Sequence, residues 1–493
     1  MRPIFEEARK IIRINSVSSN GNEELANYVS TLLQDHGLKP QLQQVTHSLE
    51  NVSKRQFNVI GILGDPLVDK KTKKGLLLTT NLDTVSPGLP ENWTETGGDP
   101  FAANFKDGKI FGLGSADTKL DFLCKLHAIE KFREKKLKMP IYLVGTCGEE
   151  LGMFGAKYLI KSLALNPKYV LVGEPSGLKL IQAHKCMALF RVSIDYQLIE
   201  RDARGFNRKI DLHSFGKSAH GSSPDLGTNA ILQAVDFLKH AADSGFELRF
   251  TQLGGGDTKN KVPDSSRIEF YLTSHQFEDF KRFFRETVKM LSKEKAFRAD
   301  LGGLGDMGVR FLPDALFPCV LEMVNFFRDL SGELEGKSNP SFDPPGSTVN
   351  FSMVKQRPSG VDLYFDLRLL PQESPEEIEK RILKGIQSVA ARYSSLNILS
   401  VKERLNPGLN TSPDSAFIKL CTEAMTTAGM DVALAKTSTS TEAALFSQAG
   451  YESIAFGPGT STGNSHSPNE FNLSEDIEKA TLFYQKVIER VCL

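Results

Sequence analysis

Residues 76–88 read LLLTTNLDTVSPG: three leucines and two threonines lead to Asn81 and Asp83, and the run breaks at Ser86-Pro87-Gly88. A short apolar run closed by turn residues predicts a buried strand, with the polar side chains after it standing at its carboxyl end. The pattern recurs outward from this stretch. Residues 58–63, 141–146 and 169–173 are further apolar runs, alternating with helical stretches near 119–133 and 153–163. Ahead of them, residues 3–14 place Ile4, Phe5, Ala8, Ile11 and Ile12 on one helical face. Residues 22–36 repeat this with Leu25, Val29, Leu32 and Leu33 before Gly37. Such alternation predicts an α/β fold, a mixed sheet flanked by helices.

Beyond residue 185 the rhythm changes. A helix at about 227–242, two strands (ELRFTQL and RIEFYLT) and a helix at about 275–292 are followed by the same order: a helix at about 314–330, STVNFSMV, VDLYFDLRLL and a helix near 374–391. This predicts an inserted α+β domain over 185–395, made of two similar halves of about 185–293 and 294–395. The first domain is then discontinuous, 1–184 and 396–493. The length of 493 residues accommodates both.

Sixty basic residues balance sixty acidic ones, so overall charge calls for neither a nucleic acid nor an anionic membrane, and the expected partner is a small molecule. Lys70, Lys71, Lys73 and Lys74 read as a solvated turn between strands. The six cysteines form no CxxC pair, and no apolar run reaches the roughly 20 residues of a membrane span, which predicts a cytoplasmic protein.

Five segments carry metal-site chemistry at strand ends or glycine-rich turns: LLLTTNLDTVSPG with Asn81 and Asp83, GLGSADTKLDF with Asp117, VGTCGEELGMFGA with Glu149 and Glu150, VLVGEPSG with Glu174, and FGPGTSTGNSHSPNEF with His466. Singly, each has an ordinary explanation as a turn, a cap or a solvated helix start. Their order and context together are more specific. Asn81-Leu82-Asp83, Gly112-Leu113-Gly114-Ser115-Ala116-Asp117-Thr118-Lys119, Glu149-Glu150, Glu174, and His466 before Asn469-Glu470 resemble the M20 family of zinc-dependent amidohydrolases and peptidases. That family includes acetylornithine deacetylases, succinyl-diaminopimelate desuccinylases, aminoacylases and dipeptidases. The resemblance covers nearly the whole chain, and the first domain is therefore expected to be a zinc-peptidase-like catalytic domain with the inserted domain as its lid.

The resemblance implies that Asp117 bridges two zinc ions, with Glu150 and His466 completing one site and Glu174 and position 81 the other; Glu149 is then the general base. Two cations ~3.5–4 Å apart polarise an amide carbonyl and acidify a shared water whose proton a carboxylate removes. Where the family has histidine this chain has Asn81, a poor zinc ligand, so one or two ions are expected, zinc or alternatively cobalt. Asp83, which in the family supports that histidine, lacks its usual partner.

In the inserted domain, Ala219-His220-Gly221-Ser222 is similar to the family's lid segment, where the histidine stabilises an oxyanion. GGGDTKNKVPD offers Asn260 for substrate contact. The family's Asp-x-Arg is Asp366-Leu367-Arg368, where Arg368 either clamps a substrate carboxylate or forms a surface ion pair. The doubled lid resembles that of monomeric dipeptidases, so a monomer is expected, with a homodimer as the alternative. The expected activity is hydrolysis of an amide in a small carboxylate-bearing substrate, deacylation of an N-acyl amino acid or cleavage of a dipeptide. The alternative is a silent relative with a binding role.

Overall fold

The computed structural model describes residues 2–46, 55–65, 73–162, 165–197, 205–290, 296–304 and 309–493. Lys70 and Lys71 lie outside the described residues. The chain forms two compact units, Met1–His184 with Asn406–Leu493, and Lys185–Leu405. Among the described residues, no helix is long and apolar enough to cross a membrane. The six cysteines are buried and unpaired.

The first unit is built on a nine-stranded mixed sheet among the described residues. Its order is Lys39–Val45, Gln56–Leu63, Ile141–Thr146, Leu76–Asn81, Tyr169–Gly173, Glu452–Phe456, Leu180–His184 and Leu409–Asn410, with Leu434–Thr437 also paired to Leu180–His184. The four strands from Ile141–Thr146 to Glu452–Phe456 are mutually parallel. Each is buried along nearly its whole length because helices cover both faces. Leu76, Leu78, Ile141 and Leu143 pack against Arg2–Arg13, Glu23–Asp35, Lys119–Glu130, Ala416–Thr427 and Ser474–Cys492. Leu77, Tyr142 and Val144 pack on the other side against Phe154–Ser162 and Ala443–Gln448. The second helix stops at Gly37, whose φ of +82° lets Gly37 N and Leu38 N close back on Gln34 O and Leu33 O.

The first three helices are also pinned by a polar clasp. Glu7 Oε1 lies 3.0 Å from His36 Nε2 and Glu7 Oε2 2.6 Å from His127 Nε2, while Glu130 Oε2 stands 3.3 Å from His36 Nδ1. Burial pushes the Glu7 carboxyl up, but hydrogen bonds and charge from the two imidazoles outweigh it and hold it at about 2. The hydrogen bond to Glu7 raises His36 against the opposing effect of burial. A carboxyl held below its ordinary 4.5 stabilises the fold above that pH, and the benefit fades as pH falls toward 2. An imidazole held above 6.5 stabilises fully below that pH, and the benefit fades as pH rises through its folded value. The clasp therefore contributes most between these two ordinary values. His36→Gln is expected to cost about 1.5–3 kcal/mol at pH 6 and clearly less at pH 9. Thermal unfolding at both pH values reads this, and an equal cost at both would assign His36 a packing role only.

The second unit is an eight-stranded sheet among the described residues, in the order Phe297–Leu304, Phe206–Phe215, Ser265–Thr273, Arg249–Gly255, Thr348–Arg357, Gly360–Leu369, Cys186–Asp195 and Asn397–Asn406. Alternate residues such as Cys186, Ala188, Phe190, Val192 and Ile194 enter one core with the helices Ala230–Asp243, Ser274–Met290, Leu316–Glu335 and Pro375–Ala390. The strand order reveals two layers of identical topology. Phe206–Phe215, Ala230–Asp243, Arg249–Gly255, Ser265–Thr273, Ser274–Met290 and Phe297–Leu304 form a βαββαβ unit with spatial strand order 4-1-3-2. Cys186–Asp195, Leu316–Glu335, Thr348–Arg357, Gly360–Leu369, Pro375–Ala390 and Asn397–Asn406 form a second with the same order. They join edge to edge through Arg249–Gly255 and Thr348–Arg357.

The division expected at residues 293 and 294 lies outside the described residues, and the topology draws it differently. Cys186–Asp195 pairs with Gly360–Leu369, so the earlier layer is inserted into the later one. The unit also runs on to Leu405, because Asn397–Asn406 completes the sheet.

Candidate metal centre

The four parallel strands end in the segments that carry polar chemistry, so their carboxyl termini form the rigid base expected beneath a ligand site in an α/β sheet. Glu149 and Glu150 follow Ile141–Thr146, Asp83 follows Leu76–Asn81, Glu174 follows Tyr169–Gly173, and His466 lies in the loops after Glu452–Phe456. Asp117 comes from the turn before Lys119–Glu130. Gly173 has to be glycine: a Cβ there would fall 2.0 Å from Asp121 Oδ2 and 2.8 Å from Lys125 Nζ, members of a buried ion pair beneath the strand ends.

Asp117, Glu150 and His466 are brought together. His466 Nε2 lies 3.3 Å from Asp117 Oδ2 and 3.1 Å from Glu150 Oε1, and one donor atom of each residue stands within 4.8 Å of the others. Carboxylates and imidazole are zinc donors, and three protein ligands leave a further position open, as in catalytic zinc sites. His466 holds this place with φ +58°, a conformation L residues seldom adopt. The Glu150 charge, ahead of Asp117, raises the imidazole's affinity for a proton. A divalent cation satisfies the same attraction and displaces that proton.

The surroundings also fit a cation. Burial first and the Glu150 charge second push the Asp83 carboxyl to about 6. Burial, then Asp117, push Glu470 to about 8. Glu174 is raised well above the carboxylate range by burial and then by Asp117, Glu149, Glu442 and Glu150. So many carboxyl groups facing one another in a low-dielectric base are costly without positive charge.

Asp83 has a clear task despite lacking an imidazole neighbour. Its Oδ1 accepts from Glu149 N at 3.2 Å, its Oδ2 accepts from Glu150 N at 3.3 Å, and Ser18 Oγ donates to Oδ2 at 2.6 Å. It thus anchors the turn that carries both glutamates. Asn81 is buried at the end of its strand, and Thr118 Oγ1 donates to its Oδ1 at 2.7 Å. The amide oxygen at the histidine position is therefore engaged by a hydroxyl. Glu174 stands within electrostatic reach of Asp117 but outside the three-residue group.

Two residues of this unit were not assigned roles by the sequence. Glu470 Oε1 accepts from Ala116 N at 2.8 Å and Asp117 N at 2.9 Å, fixing the Asp117 turn. Lys119, fully buried, donates to Ile14 O at 2.9 Å and fastens the same turn to the end of the first helix. Both are the charged last residues of motif stretches, and that placement was the available signal.

In the second unit, the segments that carry His220, Asn260 and Arg368 lie beside one another. Gly221 N donates to Asn260 O at 2.7 Å, and a Cβ on Gly221 would fall 2.3 Å from Asp366 Oδ2. The His220 ring accepts the Ser222 amide at Nδ1, 3.1 Å away, so its Nε2 carries the proton and is a donor. Arg368 is not half of a surface pair: it is buried, and its Nε and Nη2 bind Asp366 at 2.9 and 3.0 Å.

Two other groups of potential ligands occur among the described residues. Glu7, His36 and His127 are the helix clasp. Asp211, His213 and Asp300 lie on the outer strands of the second unit, where Arg267 occupies Asp211 through Nε and Nη2.

A family model described as peptidase family M20/M25/M40 matches residues 77–490. Acetylornithine deacetylase from Proteus mirabilis is 28% identical over 283 residues, 53% of this chain and 64% of that protein. The same enzyme from Photorhabdus laumondii is 30% identical over 257 residues, 50% of this chain and 56% of that protein. The chain thus spans less than two thirds of the length of these relatives. The solved structure of aminoacylhistidine dipeptidase from Vibrio alginolyticus shares the fold, with a TM-score of 0.67 and 17% identity over 99% of this chain and 96% of that one.

Proposed function

The chain belongs to peptidase family M20/M25/M40, and from that premise we propose that it hydrolyses an amide bond in a small carboxylate-bearing substrate, most narrowly an N-acyl amino acid as in acetylornithine deacetylation. The observation that carries this reading is the convergence of Asp117, Glu150 and His466 beside the Asp83-anchored Glu149. Asp117, Glu150 and His466 would hold a divalent ion, zinc or alternatively cobalt, which would supply Lewis-acid polarisation and an acidified water. Glu149 removes the proton of the attacking water and returns it to the leaving amine. His220, donating from Nε2, is assigned the developing oxyanion, and Asn260 and Arg368 the recognition of the substrate. With Asp366 holding two of its donors, Arg368 has only its remaining guanidinium hydrogens to offer a carboxylate.

Dipeptidase chemistry is the second reading, favoured by the two βαββαβ layers of the second unit, which also support a monomer. The six buried, unpaired thiols suit a reducing cytoplasm.

The test is the zinc content of protein dialysed against zinc, followed by a panel of N-acetyl amino acids and dipeptides with and without chelator. At least one ion per chain and chelator-sensitive turnover are expected. No bound ion and no turnover would overturn the proposal. The silent alternative is checked with Asn81→His: this variant is expected to keep zinc and hydrolyse the same substrates as the parent. A variant that binds zinc and, like the parent, hydrolyses nothing would establish the silent reading. Light scattering showing a stable dimer would remove the monomer.

A further inference from the structure

The clasp that joins the first three helices is also a set of metal donors. Glu7 comes from Arg2–Arg13, His36 follows Glu23–Asp35, and His127 stands in the last turn of Lys119–Glu130. One donor atom of each lies within 4.8 Å of the others. Their side chains are 16%, 9% and 15% exposed, so packing holds all three while an ion can still reach them from solvent. Two imidazoles and one glutamate are the protein donors of a recognised class of zinc site.

Orientation separates this group from an ordinary ion pair. Glu7 turns one oxygen to each ring, Oε1 to His36 Nε2 at 3.0 Å and Oε2 to His127 Nε2 at 2.6 Å. The opposite nitrogens face one further carboxylate: Glu130 Oε2 stands 3.3 Å from His36 Nδ1 and 4.0 Å from His127 Nδ1. An imidazole that gives one nitrogen to a metal offers the hydrogen on its other nitrogen to an outer carboxylate, which fixes the tautomer and strengthens the ligand. Both rings of the clasp are placed in this way between an inner and an outer carboxylate.

We propose that Glu7, His36 and His127 bind a divalent transition-metal ion such as zinc, with Glu130 as the outer carboxylate of both rings. The site is separate from the Asp117, Glu150 and His466 centre and does not rest on the proposed function. Its ion ties the first helix to the second and third and takes no part in turnover. Lys119 fastens the Asp117 turn to Ile14 O just beyond that first helix, so the site braces the element on which the turn hangs. Binding here is weaker than at the centre. In the metal-free clasp two imidazoles already satisfy Glu7, and the ion has to displace their protons. The carboxyls of the centre repel one another and gain from any cation. Zinc therefore fills the clasp only at concentrations well above those that saturate the centre.

The test uses the full-length Asp117→Ala chain, stripped of metal and dialysed against zinc from the concentration that saturates the wild-type centre upward. Bound zinc is measured by elemental analysis and the melting temperature is followed in parallel. Uptake of one ion per chain and a rise in melting temperature are expected at the higher concentrations. Adding Glu130→Gln is expected to weaken this uptake by about 10–100-fold. The Glu130 side chain is 40% exposed, so this variant should stay folded. Adding His127→Gln instead is expected to abolish both the uptake and the rise. Should that variant fail to fold, Glu7→Gln removes the inner carboxylate and is expected to do the same. No uptake in this range, or uptake that neither Glu130→Gln nor His127→Gln moves, overturns the proposal. The centre is read separately, from zinc that the wild type binds tightly and Asp117→Ala does not, so the two readings stand or fall apart.

Discussion

Glu149→Gln is expected to lower kcat by about 100- to 10,000-fold while leaving KM and bound zinc near their wild-type values. Glutamine has the shape of glutamate but cannot accept a proton from water, so the substitution removes base catalysis and little else. Geometry supports this separation. The Glu149 position is fixed through its backbone amide, which donates to Asp83 Oδ1 at 3.2 Å, and the side chain is not needed for that contact. The proposed zinc donors are Asp117, Glu150 and His466, so metal content should persist. An active Glu149→Gln enzyme would show that the proton leaves by another route. Loss of zinc along with activity would show that Glu149 belongs to the ligand set.

Much of this site was legible because its motifs sit where apolar runs stop. The runs ending at Thr146, Asn81 and Gly173 are strands with helices on both faces, and a polar side chain after such a strand has little choice but to stand at its carboxyl end. Tasks set by distant partners were not legible. Asp83 reads as support for an imidazole, yet its oxygens bind the amides of a turn on the neighbouring strand, a contact without local pattern. The burial of Glu442, in STSTEAALF, follows from packing of Ala443, Ala444 and Phe446 on the sheet. The nested layers were hidden for a related reason. Periodicity displays a strand but not its partner, and Cys186–Asp195 finds its partner only after the whole inserted layer has passed. The pairing of Asp366 with Arg368 was half visible, since residues two apart on a strand share a face. That both would be buried depended on the sheet around them.

Asp117→Ala is expected to reduce zinc affinity by more than roughly 100-fold and hydrolysis to the level of the metal-free protein, because even partners outside the ligand shell cost about 10–100-fold. Asp117 is the most exacting choice among the proposed donors. Its Oδ2 is 3.3 Å from His466 Nε2, and its backbone amide is independently fixed by Glu470 Oε1 at 2.9 Å, so the turn should survive truncation of the side chain. Melting with and without zinc separates loss of a ligand from loss of structure. At a free zinc concentration of 100 times the dissociation constant, binding adds about 2.7 kcal/mol to wild-type stability. The variant should lose nearly all of that increment at the same zinc concentration while its metal-free melting transition stays cooperative. Removing Asp117 also removes a negative charge that raises the carboxyls of Glu174 and Glu470, so any apo destabilisation from the lost contact to His466 is opposed by relief of repulsion. A variant that melts cooperatively without metal, gains nothing from zinc and hydrolyses nothing would place Asp117 in the ligand set. One that keeps the zinc increment would remove it and require the ion to be held elsewhere.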